Sequence, residues 1–139
     1  HSPRVHLGHV WLLDSGRGAL VRVDPGTGKV DTVARFPGYA RGLAMMGKLA
    51  FVGLSKIRET STFGGVPVAE NRERLKCGVG VVDLQTGQLV GQFEFTSSVE
   101  EIFDVSLLPG ARRAALRGPF AREDGEKTIW RVPASGQLQ

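Results

Sequence analysis

The chain has 139 residues, 41% of them hydrophobic and 23% charged, with a formal net charge of +4. That is the composition of one soluble globular domain with an ordinary core; no run nears the ~18 apolar residues of a membrane span, and no charged-then-apolar leader opens it. One cysteine, Cys77, excludes an internal disulfide or a cysteine metal cluster, and the scatter of Lys and Arg argues against nucleic acid as a partner.

Cysteine usage points mildly to a reducing, cytoplasmic setting. The first residue is His1 and not Met, so the chain is expected to be a fragment of a longer product. Nineteen glycines and seven prolines, spread along the chain, punctuate short elements. Leu7 to Leu13 reads as a strand closed by the turn Asp14-Ser15-Gly16. Ala19 to Asp24 follows with Ala19, Val21 and Val23 on one face, and Lys29 to Phe36 with Val30, Thr32, Ala34 and Phe36 on one face. Between them Asp24-Pro25-Gly26-Thr27-Gly28 forms a turn, the aspartate accepting from backbone ahead and Gly28 supplying a left-handed reversal.

Ala40 to Met46 and Lys48 to Leu54 are the next strands, joined at Gly47. Ser55 to Lys76 is the one long irregular stretch, of the kind that carries function when it interrupts a small domain. Gly78 to Asp83 resumes the strands, and Gln88 to Phe95 places Leu89, Gly91, Phe93 and Phe95 together. Val99 to Leu108 is expected to be a strand, Ala111 to Arg117 a weaker one, Asp124-Gly125 a turn and Lys127 to Val132 a last strand. No segment has helical periodicity.

The Asp24 turn returns at Asp83-Leu84-Gln85-Thr86-Gly87 and, degenerate, at Arg131 to Leu138. An offset of 59 residues pairs Asp24 with Asp83, Thr27 with Thr86, Gly28 with Gly87, Phe36 with Phe95 and Leu43 with Ile102 without a gap. The implied unit is four antiparallel strands, the size of a propeller blade. The fold class is therefore all-β: a partial β-propeller of about three blades, residues 3–36, 40–95 and 99–139, with a long loop at 55–76. Closed rings need about four blades or more, so truncation or self-association through exposed sheet edges is expected.

Several stretches carry a resemblance: His1 to Arg4, Trp11 to Gly16, Leu49 to Glu59, Phe63 to Glu70 and Val99 to Val105. They are similar to an uncharacterised bacterial family of conserved hypothetical proteins built as β-propellers and longer than this chain. The resemblance implies a propeller fold and a bacterial source, and it brings no activity with it.

Innermost propeller strands line a channel, and the offset sets Arg41 level with Glu100 and Gly42 level with Glu101. Arg4, Arg41, Glu100, Glu101 and Asp104 are thus the candidates for a ligand site at the channel mouth; the bland reading pairs them with one another as a structural ring. Lys56, Arg58, Glu59 and Asn71 on the long loop are candidates for a partner- or anion-binding lid, against a merely solvated insertion. No cofactor is required. The metal alternative sets Glu100, Glu101 or Asp104 with Asn71 around calcium or magnesium.

His6 and His9 are expected to face different ways and not to form a metal pair. Ser15 and Ser55 each end a second strand without a histidine-acid partner, so no nucleophilic serine is indicated. The functional expectation is a non-enzymatic scaffold that binds a protein or small-molecule ligand. The alternative is a metal-assisted, lactonase-like hydrolase using the mouth carboxylates.

Overall fold

Eight strands of the chain fall into two sheets of identical order, each a run of sequential antiparallel neighbours. In the computed structural model the described residues are 1–56, 65–112, 114–116 and 130–131, with backbone alone for 71, 115, 116, 130 and 131. The first sheet is β1 (Arg4–His6), β2 (His9–Asp14), β3 (Ala19–Val23) and β4 (Val30–Arg35); the second is β5 (Tyr39–Met46), β6 (Leu49–Ser55), β7 (Gly78–Asp83) and β8 (Leu89–Glu94). The chain divides into two units, His1–Leu107, which holds both sheets, and Leu108–Gln139. In the latter, β9 (Ala115–Leu116) pairs antiparallel with β10 (Trp130–Arg131).

The Asp24 and Asp83 turns are built alike. Asp24 Oδ1 accepts from the backbone N–H of Gly26 (2.9 Å) and Thr27 (2.7 Å), and Asp83 Oδ1 from that of Gln85 (2.8 Å) and Thr86 (3.3 Å). Each aspartate carbonyl also accepts from the glycine four residues on, at 2.8 Å, and those glycines have φ of 71° and 70°. A carboxylate with two N–H donors satisfies groups that a tight turn would otherwise leave to water. Those hydrogen bonds hold both carboxyls below their ordinary range, the Thr27 N–H being the foremost cause at Asp24 and the Gln85 N–H at Asp83.

The core lies between the sheets. Trp11, Leu13 and Leu20 from the first, with Phe36 just after β4, cluster with Ala40, Leu43, Ala50, Val52, Leu54 and Val82 from the second and Leu84 just after β7. Removing these side chains from water is the main favourable term holding the two sheets together.

Two β-bulges alter the faces expected from strict alternation. Leu20 pairs with Ala34 but Val21 with Thr32, so Val33 is the extra residue on β4. Opposed residues share a face; Ala34 and Phe36 therefore turn to the core while Val30, 58% exposed, stays with Thr32 on the other side. Likewise Val82 pairs with Leu89 and Val81 with Gly91, so Val90 separates Leu89 from the Gly91-Phe93-Phe95 face.

Four further expectations need correction. Leu7 and Gly8 are not strand but the two-residue turn between β1 and β2, both with positive φ (49° and 75°), the geometry that matches a hairpin's twist. That turn makes His6 and His9 register partners, facing one another where the sequence suggested they diverge. Residues 99–107 form no ladder; the segment is irregular and held by the contacts described below. The long loop contains a 3₁₀ helix, Pro67–Arg74, with proline at its start, where a missing N–H costs nothing. Among the described residues there is no α-helix, and no helix is long and apolar enough to cross a membrane. The Asp124-Gly125 turn and the third turn copy beyond Arg131 lie outside the described residues.

Candidate functional site

The start of β5 carries the site's central irregularity. Ala40 pairs with Leu54 and Leu43 with Val52, so Arg41 and Gly42 together oppose Gly53 alone. Such a two-against-one bulge re-aims a side chain and breaks the local ladder. Gly42 sits at φ 82°, and its freed N–H donates to Ser2 Oγ at 3.2 Å.

The bulge also makes room for residues 100–105. A Cβ on Gly42 would lie 2.7 Å from the backbone of Asp104, and one on Gly53 would run into the Arg41 carbonyl and come within 2.9 Å of Ile102 Cγ2. Two glycines in strands, side by side across a pair, here mark a close backbone approach. Polar contacts fix the segment in this seat. Ile102 N–H donates to Ser55 Oγ (2.8 Å), Ser55 O–H donates to the Ile102 carbonyl (3.2 Å), and Lys56 N–H donates to the Glu100 carbonyl (2.8 Å). Ser55 is buried, so its hydroxyl stands in for a missing strand partner.

Of the expected mouth residues, Arg4 lies near Asp104, and Arg41 meets Phe103, the residue before Asp104. Arg4 Nη2 lies 3.9 Å from Asp104 Oδ1, a long contact between side chains that are 42% and 60% exposed. An ion pair of that kind contributes at most about 1 kcal/mol. Arg41 is half-buried and its guanidinium lies 4.4 Å from the centre of the Phe103 ring, which is itself exposed. Arg41 thus engages an aromatic face, a contact the sequence did not suggest. Glu100 meets the sheet through its backbone, and neither Glu100 nor Glu101 is without a partner.

Phe103 was not among the sequence candidates. A large apolar residue between charged ones in a segment expected to be strand was the available signal, and only the seating of the segment shows which way it points. Lys56 belongs to this neighbourhood through its backbone bond to Glu100. Arg58 and Glu59, and the side chain of Asn71, lie outside the described residues.

Among the described residues no group of three or more His, Cys, Asp or Glu could hold a metal ion. The facing histidines are turned to separate carbonyls, His6 Nε2 lying 2.7 Å from the Gly47 oxygen and His9 Nδ1 2.9 Å from that of Leu7. Cys77 is buried, and desolvation pushes its thiol up, away from the thiolate a nucleophile needs. Ser15, at the strand end matching Ser55, is buried, and its hydroxyl has no hydrogen-bond partner among the described residues.

Residues 1–116 match the model of a family described as a domain of unknown function (DUF4915). No curated protein matches the chain.

Proposed function

The chain belongs to the DUF4915 family, and on that premise we propose that it is a non-enzymatic β-propeller module that binds a protein or small-molecule ligand at the cluster of Arg4, Arg41, Phe103 and Asp104. What supports the propeller reading is that the two sheets have the same strand order, the same turn chemistry and a shared core. The segment 100–105 also lies against β6, where the inner strand of a next blade would begin.

The observation that carries the binding reading is the Arg41–Gly42 bulge. It holds the guanidinium of a half-buried arginine at an exposed aromatic ring, and Asp104, next in the chain to that ring, takes a second arginine whose only ion pair among the described residues is long and solvent-exposed. An arginine fork on a strand and a ring face on a segment clipped to the sheet by the Ser55–Ile102 hydrogen bonds form a recognition surface with little ordering left to do on binding. The same cluster offers no activated nucleophile.

A thermal-shift screen of small metabolites on the native chain and on Arg41→Ala tests this. Ligands that raise the melting temperature of the native chain and not of the variant are the expected result. Hydrolysis of lactones or esters that depends on calcium and is lost in Glu100→Gln would replace the scaffold reading with the hydrolase.

A further inference from the structure

The 3₁₀ helix Pro67–Arg74 carries a second constellation that shares no residue with the Arg4–Arg41 cluster. Ala69, Glu70, Arg72, Glu73 and Arg74 line a groove of about 400 Å³. Among the described residues, none of its four ionic side chains forms an ion pair or a hydrogen bond. Arg74 also lines a second groove of about 210 Å³, whose other walls are Phe36, Pro37, Pro67, Val68 and Leu75. A groove lined by both charges and an apolar one therefore share one residue, Arg74.

The walls are anchored. Phe36 and Leu75 are each 6% exposed, the Lys76 N–H donates to the Pro37 carbonyl at 2.7 Å, and the Leu75 N–H donates to the Arg72 carbonyl at 3.0 Å. The end of the helix is thus tied to the linker between the two sheets, and the apolar groove exists before anything enters it, which lowers the cost of binding.

The charges select the occupant. A simple anion placed there meets the opposing fields of Glu70 and Glu73, and a simple cation those of Arg72 and Arg74. A molecule carrying both charges a few ångströms apart satisfies both pairs, and an apolar body joined to it would be taken out of water by the neighbouring groove. We propose that this composite groove binds a free α-amino acid with an apolar side chain. Its carboxylate meets Arg72 and Arg74, its ammonium meets Glu70 and Glu73, and its side chain lies over Phe36, Val68 and Leu75.

The test is an NMR titration of the native chain with L-leucine and L-phenylalanine, run beside N-acetyl-leucine, leucinamide and glycine. The expected result is a saturable shift of the amide resonances of residues 67–75 with the two apolar amino acids. Each control, lacking the ammonium, the carboxylate or the apolar side chain, is expected to bind about tenfold more weakly or worse. Arg74→Gln and Glu73→Gln should each lose a similar factor, whereas Arg41→Ala should bind as the native chain does. The proposal is overturned if no saturable shift develops up to the solubility limit of leucine. It is also overturned if N-acetyl-leucine and leucine bind equally, or if the shifts fall on residues 2–4, 41 and 102–104. Should Arg74→Gln alter the melting temperature, the control series on the native chain decides alone.

Discussion

Ser55 and Ile102, 47 residues apart, are joined in both directions: the Ile102 N–H donates to the Ser55 hydroxyl oxygen and the hydroxyl donates to the Ile102 carbonyl. Ser55→Ala leaves both backbone groups of Ile102 without these partners, a loss of about 1–3 kcal/mol. Urea denaturation should show the lower midpoint, and hydrogen exchange at Ile102 should quicken more than at core amides such as that of Val52. An unchanged midpoint and unchanged exchange would refute the clip.

The two aspartate turns, alike in hydrogen bonding, differ in what surrounds their glycines. A Cβ at Gly28 meets nothing within 4 Å, whereas one at Gly87 lies 2.6 Å from the Val33 carbonyl oxygen. Gly28→Ala should therefore cost only the left-handed backbone penalty of about 1–2 kcal/mol. Gly87→Ala should cost about 1 kcal/mol or more beyond that, because the β4 backbone must move. Equal losses in thermal unfolding would contradict the packing of the second turn against the first sheet.

Stability should fall in acid through the same turns. Asp24 and Asp83 titrate below their ordinary value in the folded chain, while in the unfolded chain aspartate titrates near about 3.9. A depressed folded pKa means that their contribution is complete above the unfolded value and is lost as pH falls through the folded one. Asp31, lowered by hydrogen bonds from Lys29 and then Arg22, acts in the same sense. Melting temperatures should hold above about pH 5 and decline below about pH 4, and the decline should be shallower in Asp83→Asn. A decline that begins near neutrality would point to other groups.

Gly53 should be intolerant of any side chain, since its Cβ would strike the Arg41 carbonyl at the bulge and crowd Ile102 and Val105. Gly53→Ala is expected to cost about 1–3 kcal/mol. It should also release residues 100–105, which proteolysis between Val99 and Leu107 would report. Protection equal to that of the native chain would mean that the segment is not seated on the bulge.

Much of the fold was legible because its signals are local. The Asp-x-x-Thr-Gly pattern states its own hydrogen bonds, and the alternation of Val, Leu and Ala in β2, β3, β6 and β7 states which strands are half or wholly buried. The bulges at Val33 and Val90 were not legible, because an extra residue in an alternating strand changes no composition; it appears only in the pairing with the neighbour. The hairpin at Leu7-Gly8 was missed because an apolar leucine takes a turn position usually held by Asn, Asp or Gly.

The sequence by itself determined the strand count of the two sheets, the chemistry of the turns between their outer strands, and the candidacy of Arg4, Arg41 and Asp104. Only the tertiary structure decided that Arg41 meets Phe103, that Arg4 reaches Asp104, and that a groove lined by Glu70, Arg72, Glu73 and Arg74 shares Arg74 with an apolar groove. The physical reason is one of range. Turn hydrogen bonds and strand alternation act within a few residues, whereas the seating of residues 100–105 depends on a bulge at Arg41-Gly42 and on Gly53 and Ser55, two places in the chain that precede the segment they hold, Ser55 lying 47 residues before Ile102.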